Sequence, residues 1–257
     1  MLIFIGAIVG AVFGGFPGLL IGGAAGYVIG WGLRQSVLGS LQAVQANLLH
    51  PTFAIMGALC KADNVVTRDE IQVVERIFDQ LALSAEARVA AKASFAAGKA
   101  PDFDLDAAVD DFAAIARGRM PLVQLFLQLQ CMAVAADGQL HPAEHEMLVH
   151  IARRLGLEEV DVARLEALLR AATGEAAAGP GAPPSRARLA DAYEALGLRP
   201  DASPSEIKRA YRKLMSQNHP DKLAARGLPE SMRPVAEERS REINTAYDLI
   251  KTSRDFN

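Results

Sequence analysis

The stretch SPSEIKRAYRKLMSQNHPDK, from Ser203 to Lys222, decides how this chain is read. Ser203 followed by Pro204 and Glu206 combines an N-cap, a first-turn proline and a capping-box acid, so a helix is predicted from here to about Gln217. Ile207, Ala210, Tyr211 and Leu214 recur at helical spacing as a packing stripe, while Lys208, Arg209, Arg212 and Lys213 line another face. One side packs and the other is a basic rail. The helix breaks at His219-Pro220-Asp221, because Pro220 biases His219 toward an extended backbone and withholds a donor. Asp221 is left displayed in a polar loop, where a carboxylate can pair bidentately with a partner arginine.

The flanks complete a small helical unit. Upstream, Leu189, Tyr193 and Leu196 mark a short helix ended by Gly197, a C-cap signal. Downstream, a third helix is predicted from about Pro229, with Val235, Ala236, Ile243, Tyr247 and Ile250 turned inward. Residues 186–257 carry 14 basic and 11 acidic side chains, net +3. That excess is small and no aromatic base-stacking pattern accompanies it, so a nucleic-acid partner is not expected.

In the order Tyr193, Leu196-Gly197, basic helix and His-Pro-Asp tripeptide, the segment resembles the J domain of DnaJ-type proteins. The resemblance implies a DnaK-type chaperone as partner. Lys208, Arg209, Arg212 and Lys213 would meet an acidic face of its ATPase domain, with His219, Pro220 and Asp221 at its interdomain region. Charge complementarity of this kind sets on-rate and orientation. The ATP chemistry would belong to the partner, so the chain is read as a regulator, not an enzyme, with no cofactor of its own.

Working outward to the N-terminus, no charged side chain occurs from Leu2 to Leu33. That run exceeds the roughly 20 residues one helix needs to cross a bilayer. The first basic residue, Arg34, lies behind the run, which argues against a cleaved signal peptide and places the C-terminal bulk in the cytoplasm. Pro17-Gly18 at its middle also permits two short passes. Glycine recurs every four residues at Gly6, Gly10, Gly14, Gly18, Gly22, Gly26 and Gly30, a stripe that lets two helices approach closely in lipid. A homodimer through this segment is expected.

Between these ends, residues 50–172 carry 12 basic and 18 acidic side chains and read as about seven amphipathic helices. An internal repeat organises them: Ala62-Asp63 through Glu70 aligns with Ala136-Asp137 through Glu144. Thr67 and Glu70 have capping-box spacing, and Pro142 suits a first helical position. Asp63, Glu70, Asp137 and Glu144 would also form an oxygen-rich cation site if the two copies faced each other. Through its Ala-Asp turns and the spacing to the following Glu, the region resembles the TerB-like domain, which implies a helical interaction module.

His141-Pro142-Ala143-Glu144-His145 matches H-x-x-E-H, the pattern of a zinc peptidase. The match falls on the helix-start half of the repeat, whose first copy has Thr67 and Ile71 in place of the histidines, so scaffold accounts for it. Cys60 and Cys131 have no metal-ligand spacing and read as small buried apolar residues. Residues 173–187, rich in Gly, Pro and Ala, read as a flexible linker.

The expected organisation is all-α: a transmembrane anchor over 1–35, a TerB-like helical domain over 36–172, the linker, and a J domain over 188–257. In this combination the chain resembles the membrane-anchored DnaJ-like co-chaperones of the DjlA family, which implies the bacterial inner membrane. The competing readings are a zinc-dependent membrane peptidase using His141, Glu144 and His145, and a divalent-cation-responsive scaffold.

Overall fold

The computed structural model describes residues 47–62, 67–135, 141–173 and 185–254. Every regular element among them is helical. The apolar run and its glycine stripe, Asp63, Asp137 and the segment 174–184 lie outside the described residues. No described helix is long and apolar enough to cross a membrane.

The N-terminal half of the described chain is a seven-helix module. Its elements are α1 (47–59), α2 (Arg68–Gln80), α3 (Ala85–Gly98), α4 (Leu105–Ala116), α5 (Met120–Val134), α6 (Pro142–Arg154) and α7 (Glu159–Thr173). Local chemistry sets the starts. Thr67 Oγ1 accepts from the Glu70 N–H at 3.1 Å while Glu70 Oε2 accepts from the Thr67 N–H at 2.6 Å, the reciprocal box expected for α2. Ser84 and Asp104 cap α3 and α4 through one side-chain oxygen each.

Central α5 is buried on nearly all sides, as a helix without a polar face must be. Phe126 of α5 stacks on Phe112 of α4 at 3.9 Å, and Phe53 of α1 meets Phe78 of α2 edge-on at 4.9 Å. Cys60 and Cys131 are free and buried, as expected.

The C-terminal unit comprises α8 (Arg186–Ala195), α9 (Pro204–Asn218), α10 (Pro220–Ala225), a 3₁₀ turn (Glu230–Met232) and α11 (Arg233–Arg254). Gly197 ends α8 at φ +67°, with the Gly197 and Leu198 amides donating to Glu194 and Tyr193, which closes the helix as its sequence signals. Tyr193, Leu196, Ile207, Ile243, Ala246 and Ile250 form its core, and Tyr211 stacks on Tyr247 at 4.2 Å.

Two expectations for this unit are revised. The segment after His219 is a short helix, α10, because Pro220 at its first position has a helical φ already set and His219 caps it. The last long helix begins at Arg233, after the 3₁₀ turn, not at Pro229.

The described residues from Leu48 onward cluster as one compact unit. Ala167, Leu168 and Ala171 of α7 enter the core of the C-terminal unit, and Arg170 Nε lies 2.9 Å from Asp191 Oδ1 of α8. Leu223, Met232, Val235 and Ala236 in turn join the core of the module. The C-terminal unit is therefore seated on the module.

Candidate functional site

The site is built at the end of α9. Its start is a complete capping box: Glu206 Oε2 accepts from the Ser203 N–H at 2.8 Å and Ser203 Oγ accepts from the Glu206 N–H. These contacts hold the Glu206 carboxyl below its usual range. Ile207 is fully buried, while Arg209, Arg212 and Lys213 are exposed and Lys208 is partly so. The stripe and rail read from the sequence thus fall on the faces expected.

The α9 end is fastened to α11. Asn218 is buried, its Nδ2 donating to the Leu214 carbonyl at 2.8 Å, and Ser240 Oγ of α11 donates to the Asn218 carbonyl at 3.2 Å. Tyr211 Oη donates to Asn244 Oδ1 at 2.8 Å. His219 follows with φ −62° and ψ 126°, the extended conformation that Pro220 demands. Its Nδ1 accepts from the Asp221 N–H at 3.2 Å. Two residues past Asp221, Leu223 is 2% exposed and anchors α10 in the module core.

The result is a tip on a fixed base. The Asp221 side chain is 70% exposed and its Oδ1 accepts from Arg233 Nη2 at 3.0 Å. An exposed carboxylate in this position can exchange one cationic partner for another at little cost. The seating on the module leaves the basic rail reachable: between α7 and α9 lies a cleft of about 930 Å³, lined by Arg164, Arg209 and Lys213 among others. Arg164 of α7 reaches it by lying across Gly197, where a Cβ would be 3.2 Å from its Nε.

Sequence reasoning found the rail and the tripeptide and missed Asn218, Leu223, Arg233 and Ser240. Only spacing to a distant helix marks these as site residues, and that spacing is set by the fold.

In the module, Glu70 and Glu144 of the repeat behave first as caps. Glu144 Oε2 accepts from the His141 N–H at 2.9 Å, matching Glu70 on Thr67, with Pro142 at the first position of α6. His145 Nδ1 lies 2.7 Å from Glu166 Oε1 of α7. Glu144 and His145 of the peptidase-like motif are thus engaged in helix capping and in a hydrogen bond to Glu166. Among the described residues no group of three His, Cys, Asp or Glu side chains is arranged to hold a metal ion. Glu70 and Glu144 nevertheless both approach Cys60, whose thiol is pushed up by burial and then by the two carboxylates.

A helical module carrying a unit with an exposed His-Pro-Asp tip and a basic second helix defines a protein of the DnaJ class. The DnaJ domain family matches residues 191–255, and the family described as tellurite resistance protein TerB matches residues 51–167. Curated relatives bearing the name co-chaperone protein DjlA include that of Shewanella oneidensis, 37% identical over 86% of this chain and 83% of the relative. Those of Vibrio cholerae and Photorhabdus laumondii are 40% and 35% identical, over 82% and 98% of this chain and 79% and 98% of theirs. The chain belongs to the DjlA co-chaperone family. No solved structure matches it.

Proposed function

We propose that this chain is a membrane-anchored J-domain co-chaperone that docks on a DnaK-type chaperone and stimulates its ATPase. The exposed Asp221 carboxylate beside the open basic face of α9 is the observation that carries the reading. Arg209, Arg212 and Lys213 steer an acidic partner surface and set orientation. Asp221 then engages a partner cation through a charge-assisted bond, while extended His219 turns the chain out of α9 and Pro220 starts α10 with Asp221 in its first turn. ATP hydrolysis itself takes place on the partner.

The test is steady-state ATP hydrolysis by a purified DnaK-type chaperone with the full chain in detergent, against the same chain carrying Asp221→Asn. Stimulation by the wild type that vanishes in the variant supports the mechanism. Equal stimulation by both, or none from a folded wild type, overturns it.

The uncharged Leu2–Leu33 run serves in this reading as the anchor in a bacterial inner membrane, with the C-terminal domains in the cytoplasm. The stripe from Gly6 to Gly30 pairs two copies. Replacing Gly14 and Gly18 with leucine is expected to abolish crosslinked dimers in membranes; undiminished crosslinking would remove the stripe from the interface.

A second reading concerns the module, because Glu70 Oε1 is buried without a hydrogen-bond partner. A divalent cation would satisfy it, with Glu144 near the same thiol as a second carboxylate. Calcium added to the chain should then raise its melting temperature, and Glu70→Gln should remove the shift. Identical melting with and without calcium would leave capping as the sole role.

A further inference from the structure

Asp221 is placed by contacts that lead back to the helical module. Its Oδ1 takes the bond from Arg233 Nη2, while its Oδ2 stands 4.0 Å from His219 Nδ1. Arg233 is the first residue of α11, and its Nε donates to Glu237 Oε1 one turn on at 3.1 Å. A guanidinium held by two carboxylates has its plane fixed as well as its position.

The backbone under Arg233 belongs to the interface with the module. Met232, Val235 and Ala236 are at most 3% exposed and lie in the module's apolar cluster. The carbonyl of Pro234 accepts from Gln80 Nε2 at the end of α2, at 3.4 Å. On the other side of the pair, Leu223 enters the same cluster. Both ends of the Arg233–Asp221 pair therefore stand on backbone anchored in the module, while the pair itself is exposed, Arg233 at 39% and Asp221 at 70%.

We infer that Arg233 is a positioning residue for Asp221 and that the helical module, by fixing the first turn of α11, sets the docking tip without touching the partner. The inference rests on the docking role of Asp221 proposed above. A pair this exposed is weak and readily exchanged, so it orients the carboxylate and still yields it to a partner cation. The module is thereby a mount for the J domain, and loosening the mount loosens the tip.

The test uses the full chain in detergent with a purified DnaK-type chaperone, reading ATPase stimulation across co-chaperone concentration. Arg233→Ala should raise the half-maximal concentration roughly two- to fivefold, with Arg233→Lys restoring part of it and added salt shrinking the difference. Gln80→Ala should act in the same direction in the wild type and add nothing in the Arg233→Ala background. A partner-free arm measures amide exchange at Asp221 to Leu223, which should quicken in Arg233→Ala and in Gln80→Ala. Wild-type stimulation with a folded Arg233→Ala chain that matches it in half-maximal concentration would overturn the inference, as would unchanged exchange. Damage by Arg233→Lys equal to that by alanine would overturn it too. Absence of stimulation by the wild type would strike the proposed function, and the exchange arm would still decide the positioning role.

Discussion

Gly57 and Gly98 stand where α1 and α3 cross at backbone contact. A Cβ on Gly57 would run into the Phe95 carbonyl oxygen, and one on Gly98 into that of Ala54. Each glycine thus admits the partner helix's backbone, and neither backbone can give way cheaply. Gly57→Ala is expected to destabilise the chain by about 1–3 kcal/mol, read as a lower urea midpoint; an unchanged midpoint would mean the crossing relaxes. Thr67 acts at the same scale through its box with Glu70. Thr67→Ala should cost about 1 kcal/mol, measured in the same way, since it leaves the Glu70 amide without its acceptor and removes the hydroxyl that donates to Glu70 Oε2, while the backbone N–H at position 67 keeps its own bond to that carboxylate. The capping residues were legible as spacing alone, because a cap is satisfied within four residues. The glycine crossing was not, because it depends on which helices meet.

At the scale of elements, the contact of α11 with α5 contains a buried polar cluster. Gln128 Nε2 donates to Glu242 Oε2 at 2.8 Å, and Arg239 Nη1 donates to Gln128 Oε1 at 3.3 Å. Burial outweighs the attraction of Arg239 and pushes the Glu242 carboxyl up to about 8. The fold therefore favours its protonated form. Its contribution to stability is fully present below the ordinary carboxyl value of about 4.5 and is lost as pH rises through about 8. Between about pH 5 and pH 9 the wild-type urea midpoint should fall more than that of Glu242→Gln, which has no carboxyl to ionise. Parallel profiles would show that Glu242 ionises freely when docked. Helix α11 itself was foreseen in the sequence, and so was the inward turn of Val235 and Ala236. Their destination was not: they face the module, while Ile243, Ala246 and Ile250 face the J-domain core.

For the whole molecule, the two described parts share burial in both directions, with α7 side chains in the J-domain core and J-domain side chains in the module core. A J domain cut free at Ser185 would expose Leu223, Met232, Val235 and Ala236 to water, and a unit of this size has little core to spare. The segment 185–257 alone is expected to melt below the full chain and to bind an apolar dye, whereas in the full chain the J domain and module should melt in one transition. A fragment as stable as the parent would mean that seating contributes nothing to its fold.

The amino-acid sequence alone determined the helical class, a module of about seven helices, the caps, the basic face of α9 and the His-Pro-Asp tip. All of these follow from periodicity and from neighbours within a turn or two, where the chain's own covalent geometry brings the groups together. Tertiary structure alone decided that Leu223 of α10 is buried in the module, that Gly57 and Gly98 admit a backbone crossing, and that Arg233 holds Asp221. It also decided that the J domain sits on the module through Gln128, Arg239 and Glu242. Those pairings join residues up to 114 positions apart, and no local pattern encodes which of several apolar faces will meet. That choice is made only when all the faces compete to be buried at once.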